Sequence, residues 1–422
     1  MDPPVIISEH AEPHSSLVPV LRANLPYALP LLRRIQHARS YPSSTEAFLA
    51  TFPPGNTNPS LYYSSSPWLA AYVDLFSGRQ TQIWIFSSLE AKAGSEPYYS
   101  SSDILSSFVP DSGAISEETW SQARHQLLAL LSYVKSNLLP IYLASVEAAV
   151  ATEEYVADEL ETTANPLNPP KIPAPPPNAF VIGTMHTALF SLLTVSGTYS
   201  DPVAVPGIRI YRYENPPYIK YLFHPMADGT PSKACQGEFN PVDTNDGILP
   251  SRYRYYDQKG RYGVLPQHLD LVISRTYIPR SREVLLMMPS TAIYHYDNDD
   301  NSSINGTQIE PGQPSGGEEI PIAWGFLSVD GSVASLYVEP EHRGRGLAAQ
   351  LCKEVIRTGL APGSVFRPIG EGQGQGPAEE TEAVAHADVL MTNIASRRVM
   401  EKAGGEVAWT NTWAVVELND KP

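Results

Sequence analysis

Cysteine is nearly missing from this chain of 422 residues, which holds Cys235 and Cys352 and no other. Two cysteines so far apart in sequence provide neither a disulfide framework nor a set of zinc ligands. The first residues, MDPPVIISEHAEPHSS, lack the basic segment and apolar run of a secretory signal. No run of about 18 apolar residues occurs either. These absences predict an intracellular, cytoplasmic protein without a metal cofactor.

Positive charge is also scarce, since 29 Lys and Arg stand against 45 Asp and Glu, for a formal net charge of -16. An acidic surface repels phosphate, so nucleic acid and anionic membranes are excluded as general partners. A Gly-x-Ser-x-Gly elbow is absent, so Ser-His-Asp hydrolysis has no support. The sequence does not indicate the oligomeric state.

Proline is abundant instead, with 40 residues, about twice the usual frequency. The densest cluster, NPLNPPKIPAPPPN at 165–178, favours extended polyproline geometry and predicts a semi-rigid linker. It separates an amino-terminal lobe, residues 1–164, from an uncertain connecting region, 179–265, and a carboxy-terminal lobe, 266–422. The polar stretches 297–319 and 370–382 predict mobile surface loops.

In the first lobe, prolines 26 and 30 break a helical start. Residues 68–76 and 81–89 flank a polar turn and predict an antiparallel hairpin. Apolar residues at three- to four-residue steps from Trp120 to Leu138 then predict a helix that Pro140 bends or ends.

The connecting region leaves alternatives open. FVIGTMHTALFSLLTV, 180–195, fits a strand or a buried helix equally well. YRYENPPYIKYLF and SRYRYYDQKGRYG mix tyrosine with basic residues, which is compatible with a nucleic-acid face. Half-buried strands are the favoured interpretation, because the net charge is strongly negative.

From residue 266 the order of elements is clearer. LPQHLDLVISRTYIPRSREVLLMM predicts a helix with a bend at Pro279, and STAIYHY and PIAWGFLSV predict strands. Asp330-Gly331 is a hairpin turn signal, and SVASLYV at 332–338 is the returning strand.

The stretch VEPEHRGRGLA, 338–348, joins this strand to an amphipathic helix, LAAQLCKEVIRTG, which Gly359 would cap. A helix N-terminus presents unpaired N–H groups, and Gly344 and Gly346 would let a phosphate approach the backbone. Arg343 and Arg345 would add charge. An ordinary strand-to-helix turn with surface arginines fits equally well. The spacing matches neither a nucleotide P-loop nor a Gly-x-Gly-x-x-Gly dinucleotide turn.

The pattern Arg343-x-x-Gly346-x-Ala348 after a Val-x-Pro strand end resembles the acetyl-coenzyme-A loop of the Gcn5-related N-acetyltransferase (GNAT) superfamily. ADVLMTNIASRRVMEKAGGEVAW resembles the later strand and helix of that superfamily, with Asn393 and Ser396 opening the helix and Gly404 closing it. Together with the strand pair WGFLSVDGSVASLYV, these two motifs resemble the branch related to glycine N-acyltransferase. The resemblance covers residues 266–422.

This resemblance implies an α/β fold with a mixed, mostly antiparallel sheet flanked by helices, and a first lobe that is a degenerate copy of the same fold without coenzyme A. It implies acetyl-CoA, or another acyl-CoA, as co-substrate. Pantetheine would pair with the backbone of 336–338, pyrophosphate would bind the loop, and Asn393 and Ser396 would lie near the pantetheine. Helix capping is the alternative role for these two. The implied cofactor residues are Leu336, Tyr337, Val338, Arg343, Gly344, Arg345, Gly346, Leu347, Ala348, Asn393 and Ser396.

The catalytic residues stay unknown at this point. The superfamily's tyrosine acid aligns with Met400, and the glutamate base of its glycine-acylating branch aligns with Ser332, beside Asp330. Tyr337 and Glu339 are nearby, although sheet packing and a solvated strand end are the plainer roles for them. We therefore expect an N-acyltransferase that acetylates a small-molecule amine or amino acid, in preference to a protein lysine. The alternative is a non-catalytic protein that kept the coenzyme pocket or only the fold.

Overall fold

The computed structural model describes residues 5–55, 66–93, 115–151, 175–195, 207–224, 249–276, 278, 280–296, 318–367 and 383–419. Most of the predicted linker 165–178, nearly all of the loop 297–319 and the whole of the loop 370–382 lie outside these ranges. The domain boundaries drawn from the sequence therefore stay predictions.

The described ranges contain thirteen strands and ten α-helices. The strands are β1 (Ser8–Glu9), β2 (Ala47–Ala50), β3 (Leu69–Val73), β4 (Ile83–Ser87), β5 (Ala179–His186), β6 (Ile208–Tyr213), β7 (Tyr218–Phe223), β8 (Tyr253–Arg254), β9 (Ser290–His295), β10 (Ala323–Leu327), β11 (Ser332–Val338), β12 (Ala385–Leu390) and β13 (Glu406–Leu418). The helices are α1 (Pro13–Ser16), α2 (Val18–Arg22), α3 (Leu29–Ser40), α4 (Glu117–Tyr133), α5 (Leu139–Ala151), α6 (Thr187–Val195), α7 (Leu269–Arg275), α8 (Arg282–Leu286), α9 (Leu347–Gly359) and α10 (Ile394–Lys402).

One continuous sheet runs through both halves of the described chain, in the order β1-β2-β3-β4-β5-β13-β7-β12-β11-β10-β9-β8. In the first half β2, β3 and β4 pair antiparallel, and β4 pairs parallel with β5. In the second half β9, β10 and β11 pair antiparallel, and β11 pairs parallel with β12. The same strand pattern thus occurs twice, and the predicted fold class, a mostly antiparallel mixed sheet in two lobes, is confirmed.

The two lobes exchange their last strands at the centre of the sheet. β13, the final strand of the chain, pairs with β5 of the first lobe, whereas β7 pairs with β12 of the second. β7 and β13 also pair with each other, and β6 continues along the same edge of β13. Neither lobe can complete its sheet without a strand from the other half of the chain.

Several sequence predictions about local structure are confirmed. The hairpin β3–β4 is antiparallel, and the turn before β11 places Gly331 at a φ of 76°. Residues 180–195 were compatible with a strand or a buried helix, and they form one of each. β5 ends at His186, and α6 begins at Thr187. The tyrosine-rich segment 211–223 forms strands β6 and β7, as half-buried strands would require.

The long helix does not end at Pro140, so that part of the prediction is wrong. A π-helical turn, Val134–Leu138, follows α4, and the N–H of Leu139 bonds to the carbonyl oxygen of Val134. The wider turn accommodates a residue that has no N–H, and the helix continues as α5.

By length and composition, Glu117–Ala149 could also cross a membrane, but this is weak evidence. Its residues Leu127, Leu130 and Leu131 are buried in the core of the first lobe, and 28% of its most apolar window is buried.

Two other local predictions need correction. Pro30 does not interrupt a helix, because it lies in the first turn of α3. An N–H at that position would have no acceptor within the helix, so its absence breaks no hydrogen bond. Gly359 is the last residue of α9, and the helix ends on Leu360 without a left-handed glycine cap. Close packing requires a glycine at this position instead, since a Cβ there would lie 2.3 Å from Leu327 Cδ1.

A buried ion pair joins β7 to β12 at the exchange. Lys220 Nζ lies 2.8 Å from Asp388 Oδ1, and the two side chains are 1% and 4% exposed. The same ammonium donates hydrogen bonds to Thr184 Oγ1 of β5 at 2.9 Å and to His386 Nδ1 of β12 at 3.1 Å. Asn411 Nδ2 of β13 donates to Asp388 Oδ1 at 2.6 Å. One cation therefore connects the central strands of both lobes.

We predict that Lys220→Met destabilises the whole chain by about 3–5 kcal/mol, because it leaves Asp388 buried without its countercharge. Arg209→Met is the matched control, since Arg209 pairs with Glu417 across β6 and β13 but is 57% exposed. That surface pair should contribute at most about 1 kcal/mol. Denaturant unfolding measures both, and similar losses for the two variants would contradict the role given to the buried pair.

Candidate functional site

The second lobe opens where β11 separates from β12. The parallel pairing described for these strands involves Ser332 with His386 and Val333 with Ala387. Beyond that point β11 stays paired with β10 on its other edge, as far as Val338. Residues 334–338 are partly exposed, although they lie in the middle of the sheet. The backbone facing the opening is thus accessible to an extended ligand.

A β-bulge lies at the start of this opening. Trp324 faces Tyr337 and Phe326 faces Ala334, so Gly325 alone stands opposite Ser335 and Leu336. Ser335 has a φ of 49°, a left-handed conformation that costs a residue with a side chain about 1–3 kcal/mol. Bulges bend a strand and end its pairing, which fits the separation from β12.

The loop after β11 presents a row of backbone donors. Among the described residues, the N–H groups of Gly344 to Ala348 have no backbone acceptor. Gly344 and Gly346 have φ values of 76° and 78°, and a Cβ at either would meet no atom within 4 Å. Gly346 begins α9 directly, so the positive end of the helix dipole faces the same open space. The loop has the properties of an anion site.

The two arginines of this loop have structural partners. Arg343 Nε donates to the carbonyl oxygen of Val338 at 2.9 Å, and its guanidinium lies over the Tyr337 ring. Arg345 Nη1 donates to Tyr253 Oη, which in turn lies 3.0 Å from His342 Nδ1. Both side chains are exposed and still offer further N–H groups to a ligand.

Asn393 acts as the helix cap in this structure, and Ser396 lies in the first turn that it caps. The Asn393 side chain accepts a hydrogen bond from the backbone N–H of Ser396 at 3.1 Å and begins α10. Both residues also line the opening, so capping and a ligand role are compatible. Gly404, with a φ of 93°, follows the end of the helix, as the sequence predicted.

A large cavity of about 1230 Å³ extends from the opening toward the first lobe. Leu336, Tyr337, Asn393 and Ser396, four of the predicted cofactor residues, line it together. The loop of Gly344 and Gly346 lies beyond this lining, at the carboxyl end of β11. The first lobe contributes residues that the sequence did not indicate, among them Arg34, His37, Trp84, Val181 and Arg212.

The corresponding opening of the first lobe is filled. β4 and β5 pair in parallel at Ile83 and Trp84 and then diverge, but Ile85 and Phe86 are 8% and 1% exposed. Leu189 and Phe190 of α6 occupy the same core as Ile85.

The first lobe's helix after β4 is also unsuited to an anion. α4 begins with Glu117 and Glu118, and Ser116 Oγ already caps the N–H of Thr119. Carboxylates at the helix start would repel a phosphate.

The two positions aligned with catalytic residues hold no obvious acid or base. Met400 is 4% exposed and belongs to the core of the second lobe. Ser332 Oγ donates a 2.7 Å hydrogen bond to Asp330 Oδ1. Asp330 itself is 1% exposed and lines the cavity, and its Oδ2 has no hydrogen-bond partner among the described residues.

The other two candidates, Tyr337 and Glu339, are engaged elsewhere. The Tyr337 ring stacks on Trp324 with centroids 5.0 Å apart. Glu339 Oε1 accepts from Arg275 Nε at 3.1 Å. These contacts are those of a sheet-packing tyrosine and a surface carboxylate.

Three potential ligand side chains, Asp330, His386 and Asp388, lie close enough together to hold a metal ion. The Lys220 ammonium, however, bonds both His386 and Asp388, so a cation there would face a positive charge at hydrogen-bond distance. His10 and His14 have the four-residue spacing of a ligand pair, but both ring nitrogens of His10 are already bonded, to Ser16 Oγ and the Phe52 carbonyl oxygen.

The family of this chain is indicated by a model for the "Acyl-CoA N-acyltransferase verG N-terminal domain", which matches residues 4–221, more than half of the chain. The chain belongs to this acyl-CoA N-acyltransferase family. The resemblance to N-acyltransferases that the sequence predicted is thereby confirmed. The matched region covers the first lobe and most of β7, the strand that this lobe donates to the second.

Solved structures with related folds are distant in sequence. A Drosophila protein is 11% identical over 98% of both chains, with a TM-score of 0.43. A tandem GNAT protein from the clavulanic acid biosynthesis pathway is 8% identical over 99% of both chains, with a TM-score of 0.39. A putative GNAT-family acetyltransferase from Novosphingobium aromaticivorans is 14% identical over 51% of this chain and 69% of that one, with a TM-score of 0.26. Comparison with curated proteins gave no match.

The buried network beside the cavity predicts a pH effect on stability. Burial, and next to it the Lys220 charge, lowers the pKa of His386 to about 3. Its Nδ1 accepts from Lys220 and its Nε2–H donates to the Asp330 carbonyl oxygen, so the folded protein holds the neutral ring. Unfolded chains protonate this histidine below about pH 6.5, so the stability it contributes falls as pH drops from 6.5 toward 3.

We expect His386→Gln to lose less stability on acidification than the parent, by about 2 kcal/mol at pH 5 compared with pH 7, because each pH unit below 6.5 costs about 1.4 kcal/mol. Denaturant unfolding of both proteins at the two pH values measures the difference. A gap between variant and parent that does not change with pH would show that His386 is not held neutral.

Proposed function

We propose that this protein transfers an acetyl group from acetyl-coenzyme A to the amine of a small molecule. The coarser activity, acyl-CoA-dependent N-acyl transfer, follows from its family. The observation that carries the proposal is the continuity of the site: an accessible strand edge at 334–338 leads into five successive backbone donors at a helix N-terminus.

Coenzyme A would lie in the opening between β11 and β12. Its pantetheine amides would pair with the free edge at Leu336 to Val338, and its pyrophosphate would accept from the N–H groups of Gly344 to Ala348. Arg343 and Arg345 would add charge-assisted hydrogen bonds. Asn393 and Ser396 would contact the pantetheine from the opposite wall, which their place in the cavity lining supports.

The reaction needs a neutral amine held close to the thioester carbonyl carbon. The amine nitrogen attacks this carbon, the C–S bond breaks, and the leaving thiolate finally takes up the proton that the amine loses. We propose that the proton lost by the amine passes to the Asp330 carboxylate, whose Oδ2 is unpartnered among the described residues and which lines the cavity. The products are an N-acetyl amine and free coenzyme A.

A small acceptor suits the cavity better than a protein lysine, because the space for it lies between the two lobes and is lined from both. We also propose that the protein works in the cytoplasm, where acetyl-CoA is available.

A non-catalytic coenzyme-binding protein is the second candidate, favoured by Met400 and Ser332 at the two aligned catalytic positions. Release of coenzyme A in the presence of a panel of amines separates the two functions. Turnover with any amine supports the transferase, and binding without turnover supports the alternative.

Gly346→Glu should abolish micromolar binding of acetyl-CoA in calorimetric titration. The new carboxylate would stand where the pyrophosphate binds, and each charge-assisted hydrogen bond lost costs about 1.5–3 kcal/mol, a loss of roughly a hundredfold or more in affinity.

Gly260→Glu is the matched control, because Gly260 is also left-handed, with a φ of 73°, and a Cβ there meets no atom within 4 Å. Both variants should lose about 1–2 kcal/mol of stability from the strained backbone, but only Gly346→Glu should lose the ligand. Unchanged affinity in Gly346→Glu would refute the proposed site.

A further inference from the structure

Four buried polar atoms in residues that line the cavity have no hydrogen-bond partner among the described residues. They are Arg34 Nη1 and His37 Nδ1 on α3, Arg280 Nε before α8, and Asp330 Oδ2 in the turn before β11. All four residues line the cavity, and Arg34, His37 and Asp330 are 9%, 2% and 1% exposed. A buried polar atom without a partner costs about 1–3 kcal/mol, so a cluster of them at a cavity indicates a ligand that would satisfy them.

These residues come from separate elements that pack together. His37 Nε2 donates to the carbonyl oxygen of Met287, next to α8, at 3.3 Å. On the other side of α3, a Cβ added to Gly331 would lie 2.8 Å from Arg33 Cγ, so the helix lies against the turn that carries Asp330. The negative charge of Asp330 also acts on Arg280. α3 of the first lobe therefore packs against two segments of the second, and we call the part of the cavity lined by Arg34, His37, Arg280 and Asp330 the corner.

The donor and acceptor roles in this corner are complementary to one kind of molecule. Arg34 and Arg280 offer cationic N–H donors, which suit a carboxylate. Asp330 offers a carboxylate oxygen. His37 offers a lone pair, since its Nε2 is the donor toward Met287 and burial lowers the pKa of the ring to about 4. An ammonium or amine group can donate hydrogen bonds to both Asp330 and His37.

We propose that this corner binds the acyl acceptor, and that the acceptor is a small amine that also carries a carboxylate. Its carboxylate contacts Arg34 and Arg280, and its amino group faces Asp330 and His37. The inference rests on the proposed transferase function, which it deepens by naming the residues that would select an amino acid over a plain amine. It also gives the first lobe a role, because α3 supplies half of the site while the lobe's own opening is filled.

Matched acceptors test the chemistry. Alanine and ethylamine, and phenylalanine and phenethylamine, differ in each pair by the carboxylate alone. With acetyl-CoA, the wild-type protein should use at least one amino acid with a kcat/KM about tenfold or more above that of its decarboxylated partner. Equal use of both, or preference for the plain amine, would overturn the proposal.

Variants assign the effect to the corner. Arg280→Gln should lower kcat/KM for the amino acid about tenfold, toward the value of the plain amine, and leave the dissociation constant of acetyl-CoA unchanged. Arg280→Lys should recover part of the loss. Arg282→Gln, two residues away, is the matched control, because Arg282 is exposed and pairs with Asp270 outside the cavity. A loss in Arg280→Gln that is equal for the amino acid and the plain amine would contradict a carboxylate contact.

Arg34→Gln provides a second test from the first lobe, with Arg39→Gln at the exposed end of the same helix as its control. Because Arg34 also lies over the Tyr72 ring, its variant must first unfold at a temperature close to that of the wild type. A folded Arg34→Gln protein that keeps its preference for amino acids would show that Arg34 of the first lobe does not contact the acceptor.

Direct binding distinguishes failure of this inference from failure of the proposed function. Ligand-detected NMR with phenylalanine and phenethylamine, in the presence of desulfo-coenzyme A, reports binding without turnover. Amino acid binding that Arg280→Gln removes would support the site even in a protein that acetylates nothing. Binding of neither compound would overturn the proposed acceptor site. The four atoms would then be hydrogen-bonded to ordered water only.

Discussion

The antiparallel pairing of β7 with β13 is the interaction on which the rest of the structure depends. Each strand follows one lobe in sequence and completes the sheet of the other, so the lobes cannot separate without breaking both sheets. Lys220 lies at this junction and connects β5, β7 and β12 through one ammonium. Because the junction fixes the distance between the lobes, it also sets the width of the cavity that both of them line.

The two lobes share a strand order but differ in how their parallel strands are separated. In the second lobe a bulge at Ser335 ends the pairing and leaves an accessible strand edge, followed by two left-handed glycines. In the first lobe the same gap holds Ile85 and the apolar face of α6, and the next helix begins with two glutamates. Burial of apolar side chains stabilises the first lobe where a ligand is proposed for the second. One fold thus occurs twice in a single chain, with a filled opening in the first lobe and an accessible opening in the second.

Much of the second lobe could be predicted from sequence because its signals are local. The Asp330-Gly331 turn, the alternation of β11 and the apolar stripe of α9 each lie within a dozen residues. The strand exchange could not be predicted, because pairing between Glu406–Leu418 and Ala179–His186 is a contact between residues more than 200 positions apart. The corner proposed for the acceptor could not be predicted for the same reason: Arg34 and Asp330 are ordinary residues in sequence, and only the folded chain places both of them on one cavity. Lys220 lies in a tyrosine-rich segment whose basic residues did not indicate a buried ion pair.

Hydrogen–deuterium exchange with and without acetyl-CoA tests the central claim most directly, because it locates the coenzyme on the chain. The account predicts slower exchange for amides 334–348 and at the start of α10, and no change for 83–90 in the first lobe. Protection at β4 and β5, or no protection in either lobe at saturating acetyl-CoA, would contradict it.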